Sequence, residues 1–169
     1  EVNTQMLIYL LVFMPMVGAL VSYLIGRKSK KGRDAFVNVI AITEFVLALF
    51  LVIHTGSVAD EVATISDVCG MGLSFTADGF RTIYGMIAAF MWMMTVVCST
   101  EYFQHYRNRN RYYLFQLITL GATQAIFLSA DLYTTFIFFE IMSLASYVWV
   151  AQDERKESIS AELENPANM

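Results

Sequence analysis

Residues 132–150 read LYTTFIFFEIMSLASYVWV. As a helix rising 1.5 Å per residue, this run extends about 28 Å, close to the ~30 Å hydrocarbon core of a bilayer. Glu140, near its middle, is its only charge. An isolated charge at mid-membrane costs about 3 kcal/mol on insertion scales. Two roles account for such a residue: an ionisable functional group, or a protonated side chain that hydrogen-bonds a neighbouring helix. At 100° per residue, Tyr133, Glu140, Ser143 and Tyr147 share one face, so the carboxylate belongs to a polar stripe. Tyr and Ser hydroxyls on that stripe can hydrogen-bond a carboxylate or orient water beside it.

The rest of the 169 residues has the same character. The chain is 57% hydrophobic and 15% charged, against about 25% charged in an average globular domain. Its apolar residues come in blocks, which points to an integral membrane protein. Five blocks can cross a bilayer, at about 6–25, 35–53, 80–100, 112–130 and 132–150. In lipid the backbone must satisfy its own hydrogen bonds, so each is expected to be helical. The predicted fold is an all-α polytopic transmembrane bundle. The five-helix region occupies 1–152, and a polar cytoplasmic tail occupies 153–169. The first block is read as a retained helix and not a signal peptide, because EVNTQ precedes it and the basic GRKSKKGR follows it. Pro15 predicts a local kink.

Ten of the 11 Lys and Arg residues fall in GRKSKKGR, in HYRNRNR and in the tail, all on one side. The outer loop 54–78 has none. By the positive-inside rule the N-terminus faces out and the C-terminus in. Arg81 is the exception, at the outer end of the third span, where it is expected to pair with Asp78 or Asp131. Within the outer loop, VATIS and LSFTA flank Cys-Gly-Met-Gly and predict a small β-hairpin over the outer surface. Cys69 and Cys98 lie on opposite sides, so they should not pair.

Gln116, Thr119 and Thr123 form a second polar stripe on the fourth span, with Gln124 beside it. It suits a hydrated cavity or bonding to other helices equally well. The fourth and fifth spans are joined by a very short turn, so they are antiparallel neighbours whose stripes could face each other. Glu44 is a second candidate buried carboxylate. Its helical neighbours Ala41 and Ala48 are small and permit close helix approach. No Lys or Arg lies inside any span, so the cation that would partner an ionised Glu140 must come from outside these five helices. His54 and His105 read as interfacial residues, and Met91, Met93 and Met94 as packing. There is no CxxC pair, no metal-ligand spacing and no flavin, iron–sulfur or haem ligand set. Without a basic patch interleaved with aromatics, nucleic acid is not an expected partner.

The stretch SADLYTTFIFFEIMSLASYVWV resembles the fifth helix of the antiporter-like, proton-translocating membrane subunits. These occur in respiratory complex I, multisubunit sodium/proton antiporters and membrane-bound hydrogenases. GLSFTADGFRTIYGMIAAFMWMMTVVCSTEYF resembles the hairpin and third helix of that family, and LVFMPMVGAL its first helix. The resemblance covers the amino-terminal five helices. It implies that Glu140 is the carboxylate half of an ion-pair switch whose lysine lies on a seventh helix. No such helix follows ERKESISAELENPANM, so the expectation is a partner that supplies buried lysines.

The expected function is that of a membrane subunit contributing to proton or sodium translocation in a redox-driven or antiporter complex. Glu140 would be its switchable carboxylate. Tyr133, Ser143, Tyr147, Gln116, Thr119 and Thr123 would line it. The alternative is a scaffold subunit with no ion path of its own. Expected partners are the lipid bilayer and other membrane subunits, which would hold any flavin or iron–sulfur group. The expected location is the cytoplasmic membrane of a prokaryote.

Overall fold

The computed structural model describes residues 4–55, 61–65, 72–103 and 109–163, with the backbone alone for 61–65 and 152–163. The element order is α1 (Thr4–Lys28), α2 (Lys30–Thr55), β1 (Glu61–Ile65), β2 (Leu73–Ala77), α3 (Gly79–Tyr102), α4 (Arg109–Leu128) and α5 (Leu132–Leu163). α1, α2, α3 and the Leu132–Ala151 part of α5 are each long and apolar enough to cross a membrane. α4 is as long as the membrane-crossing part of α5 but less apolar. It packs against α1, α3 and α5, and more than half of its residues are buried. Gln116, Thr119 and Gln124 therefore face protein, which spares them the cost of lipid exposure. The fold is an all-α transmembrane bundle with one small hairpin.

Four helices form a closed ring: α1 packs on α2, α2 on α3, α3 on α4 and α4 on α1. α5 lies outside it, against α4 and β2. Two apolar clusters fill the ring. One, at the hairpin end, joins Leu7, Leu11, Ala48, Leu51, Ala89 and Leu128 to Phe75 of β2. The other joins Ala19, Val37, Ile40, Val96, Tyr113 and Leu117. Close contact of α1 with α4 depends on Gly121, where a Cβ would come within 2.9 Å of the Val12 carbonyl oxygen. Small residues at such crossings let two backbones approach.

The hairpin is antiparallel, pairing Glu61 with Ala77 through Ile65 with Leu73. It is fastened to the α4–α5 turn. The Ala130 amide donates to the Ser74 carbonyl at 2.8 Å, and the Ser74 amide donates to the Thr134 hydroxyl at 3.0 Å. Phe75 is fully buried and packs 5.8 Å from the Phe138 ring. Asp78 caps α3 by accepting from the Arg81 amide at 2.8 Å. It also accepts from the Arg81 guanidinium at 3.0 Å, so of the two expected partners the structure selects Asp78. A second guanidinium nitrogen donates to the Ser129 carbonyl.

Two features differ from the sequence reading. The basic segment GRKSKKGR is not an open loop, because α1 and α2 run into it and only Ser29 breaks the helix. The Ser29 hydroxyl accepts from the Gly32 amide at 3.2 Å, which caps α2. The second feature is the segment after residue 150, where α5 continues as helix to Leu163. That segment is rich in Ala, Glu, Lys and Arg, which are strong helix formers. Cys69 and His105 lie outside the described residues.

Candidate functional site

The two mid-span carboxylates sit in opposite environments. Glu140 is exposed, as are Ser143 and Tyr147, and Tyr133 is half-buried. The polar stripe of α5 exists and faces away from the bundle. The reason is helical period. α5 turns Thr134, Phe138 and Ala145 inward, with Ile141, Met142 and Trp149 half-buried beside them. Residues two or five positions from Phe138 then point to the opposite side. Both sides of this helix are apolar apart from the stripe, so hydrophobicity alone did not determine which side is buried.

The α4 and α5 stripes, which could have faced each other, do not meet. Gln116 and Thr119 are buried in the bundle, while Thr123 contacts α5 through the Met142 sulfur at 3.6 Å. The Thr119 and Thr123 hydroxyls each donate 2.7 Å to the carbonyl four residues earlier, Phe115 and Thr119. Hydroxyls committed to their own helix offer little to a water chain. Gln124 ties α4 to α3, donating 2.9 Å to the Gly85 carbonyl.

Glu44 is the carboxylate that the ring encloses. It is fully buried on α2, on the face that also buries Ala41, Ala48 and Leu51. Neither carboxyl oxygen has a hydrogen-bond partner among the described residues, and neither end of the Gln116 side-chain amide does.

A third polar site closes the basic end. Arg33 is buried at 2% exposure although it belongs to the basic segment. Its guanidinium donates 2.8 and 3.0 Å to the Asp34 carboxylate and also donates to the Asn110 side-chain oxygen. Its carbon lies 5.2 Å from the Tyr113 ring centre. Arg109 reaches the second Asp34 oxygen at 3.2 Å. The cluster pins the start of α2 to the start of α4. Counting Arg33 as one topological charge among ten concealed this role. The signal was the adjacent Asp34, the lone acid beside five basic residues.

At the hairpin end, Asp131 caps α5 by accepting from the Thr134 amide at 2.7 Å. Hydrogen bonds from the Thr134 hydroxyl and amide hold its carboxyl below the usual carboxylate range. His54 is half-buried and stacks on Phe50. Met91 and Met94 are exposed and Met93 is half-buried, consistent with packing. Among the described residues no three His, Cys, Asp or Glu side chains gather in a way that could hold a metal.

No family model matches the chain. It is 25% identical over 157 residues to the Na(+)/H(+) antiporter subunit A1 of Staphylococcus haemolyticus (strain JCSC1435), which covers 90% of this chain and 20% of that protein. It is 27% identical over 165 residues to a protein of the same organism named as antiporter subunit mnhD2, covering 94% of this chain and 32% of that one. Among solved structures it is similar to a chain of the membrane-bound sulfane sulfur reductase, an archaeal respiratory membrane complex. There the TM-score is 0.70 at 23% identity, over 83% of this chain and 22% of that one. The last likeness is one of fold. The chain thus spans between a fifth and a third of the length of the relatives it matches. The resemblance to antiporter-like subunits read from its helices is matched by these relatives.

Proposed function

We propose that the chain contributes to proton or sodium translocation as part of an antiporter-like membrane assembly, with Glu140 as its switchable carboxylate. The observation that carries this reading is the outward stripe of α5. Glu140 lies at mid-span, flanked by Ser143 and Tyr147, on the face that α4 and β2 leave uncovered. A carboxylate facing lipid alone would cost several kcal/mol, so this face calls for a polar or cationic neighbour. No Lys or Arg lies inside the spans, so the neighbour comes from outside these five helices. A lysine there would stabilise the ionised form, and protonation of Glu140 would release it. Coupled to proton movement, that exchange is a switch.

In this reading the basic end faces the cytoplasm, the hairpin faces outward, and the membrane is the cytoplasmic membrane of a prokaryote. Any flavin or iron–sulfur group belongs to partner subunits.

Glu140→Gln keeps hydrogen bonding and cannot ionise. In vesicles of the assembled complex this variant should lose proton translocation about a hundredfold, the lower range for a positioned proton-transfer group, with assembly intact. Unchanged translocation in an intact assembly would favour a scaffold role instead.

A further inference from the structure

We propose that Glu44 is a second proton-binding site, sealed inside the α1–α4 ring and separate from Glu140. The side chain is fully buried, and both its oxygens lack partners among the described residues. A bare carboxylate in that position would carry the full cost of an unpaired buried charge. A carboxylate so placed takes up a cation or a proton.

The surroundings favour the proton. Asn38 on α2 donates to Thr100 on α3 at 3.2 Å, and Phe45 packs on Phe90. These antiparallel contacts place Glu44 level with Trp92 on α3. The Trp92 indole in turn donates to the Gln116 carbonyl at 3.2 Å. Glu44 and Gln116 therefore lie within about two helical turns of the same depth. Gln116 is buried, and both ends of its amide are unpartnered. A carboxylic acid has one O–H donor and a carbonyl acceptor, and an amide has the matching acceptor and donors. The two make no hydrogen bond to each other in the structure, and only the neutral acid has groups complementary to both ends of the amide. An ionised carboxylate has no donor for the amide oxygen.

Sodium has less to hold it. Hard cations take shells of oxygen ligands, whereas Glu44 is flanked on its own face by Ala41 and Ala48 and sits between the two apolar clusters. At this level α1 offers Met14 and Pro15, and α3 offers Ala89, Trp92, Met93 and Val96, none of which titrates or carries a charge. On α4 the nearest titratable group is Tyr113, towards the basic end under Arg33. Arg33 and Arg109 are both engaged with Asp34. Uptake forms one O–H bond on the carboxylate and breaks one in the hydronium ion that delivers the proton. The proposal does not depend on the role of Glu140.

Infrared difference spectroscopy on membranes holding the assembled complex tests it. A protonated carboxyl has a carbonyl stretch above the amide bands. At neutral pH, Glu44→Gln should remove one such band relative to wild type. Gln116→Leu should keep the band, because the proton is held by Glu44 itself. If Glu44→Gln fails to assemble, Glu44→Asp replaces it, and the band should shift while persisting. Absence of any band change in the Glu44 variants would mean that Glu44 is ionised and would overturn the proposal. A band that appears only when sodium is withdrawn would make Glu44 a sodium site and would also overturn it.

Discussion

The α1–α4 ring and α5 each hold one carboxylate at mid-depth, and they treat it in opposite ways. The ring encloses Glu44 among small and apolar side chains, with no partner among the described residues. α5 displays Glu140 on its outward face. In the ring, every helix has neighbours on two sides. α5 packs against α4 and β2 along one side only. Burial therefore does not separate functional from structural carboxylates in this molecule. An enclosed carboxylate must balance its charge within the ring, by protonation. An outward carboxylate can balance its charge with a group that arrives from elsewhere, which suits a switch.

Variants at matched aromatic positions should break the comparison most strongly if it is wrong. Phe75 is fully buried where the hairpin meets α5, and Phe136 is 60% exposed on the open face of α5. Phe75→Ala should cost about 3–5 kcal/mol of stability in detergent micelles, from lost burial and a cavity. Phe136→Ala should cost less than about 0.5 kcal/mol in the isolated chain. Denaturant midpoints read both, and equal losses would show that α5 is enclosed like the ring helices.

A smaller effect is expected at the α3–α4 crossing. Gln124→Leu removes a second donor to the Gly85 carbonyl, which keeps its helical partner, at a cost of about 0.5–1.5 kcal/mol. A neutral result in the same denaturation assay would show that the crossing holds by packing alone. An effect of similar size lies at the cap of α5. Asp131→Ala should cost about 1 kcal/mol, as loss of an N-cap does. The carboxyl of Asp131 is held below its ordinary value of 3.8 by Thr134. Its contribution to stability is therefore complete above about pH 4 and fades as pH falls through the lower folded value. Wild type and Asp131→Ala should converge in stability on acidification below that value and stay apart at neutral pH.

The sequence made much of the fold legible because membrane-spanning helices obey a simple constraint. The five apolar blocks, the hairpin at VATIS and LSFTA, and the Arg81–Asp78 pair all follow from local pattern and appear in the structure. The orientation of α5 did not follow, because Phe136 and Phe139 are as apolar as Phe138, and only the last is turned inward. Tertiary packing chose between faces of equal hydrophobicity. The meeting of Arg33 and Asp34 with Arg109 and Asn110 was also hidden, since it joins residues more than 70 positions apart. Glu44 stood out in the sequence as a carboxylate between two alanines. Its relation to Gln116 became apparent only through the helix pairings that run by way of Trp92.

In the proposed function the outward stripe of α5 meets a cationic helix from outside the bundle. Tyr147, 71% exposed on that stripe, reports on it most directly. A photoreactive benzoyl-phenylalanine at this position, activated in the assembled native complex, labels whatever lies against the face. The expected product is a cross-link to a membrane helix that carries a lysine at mid-depth. Adducts to lipid alone would contradict it.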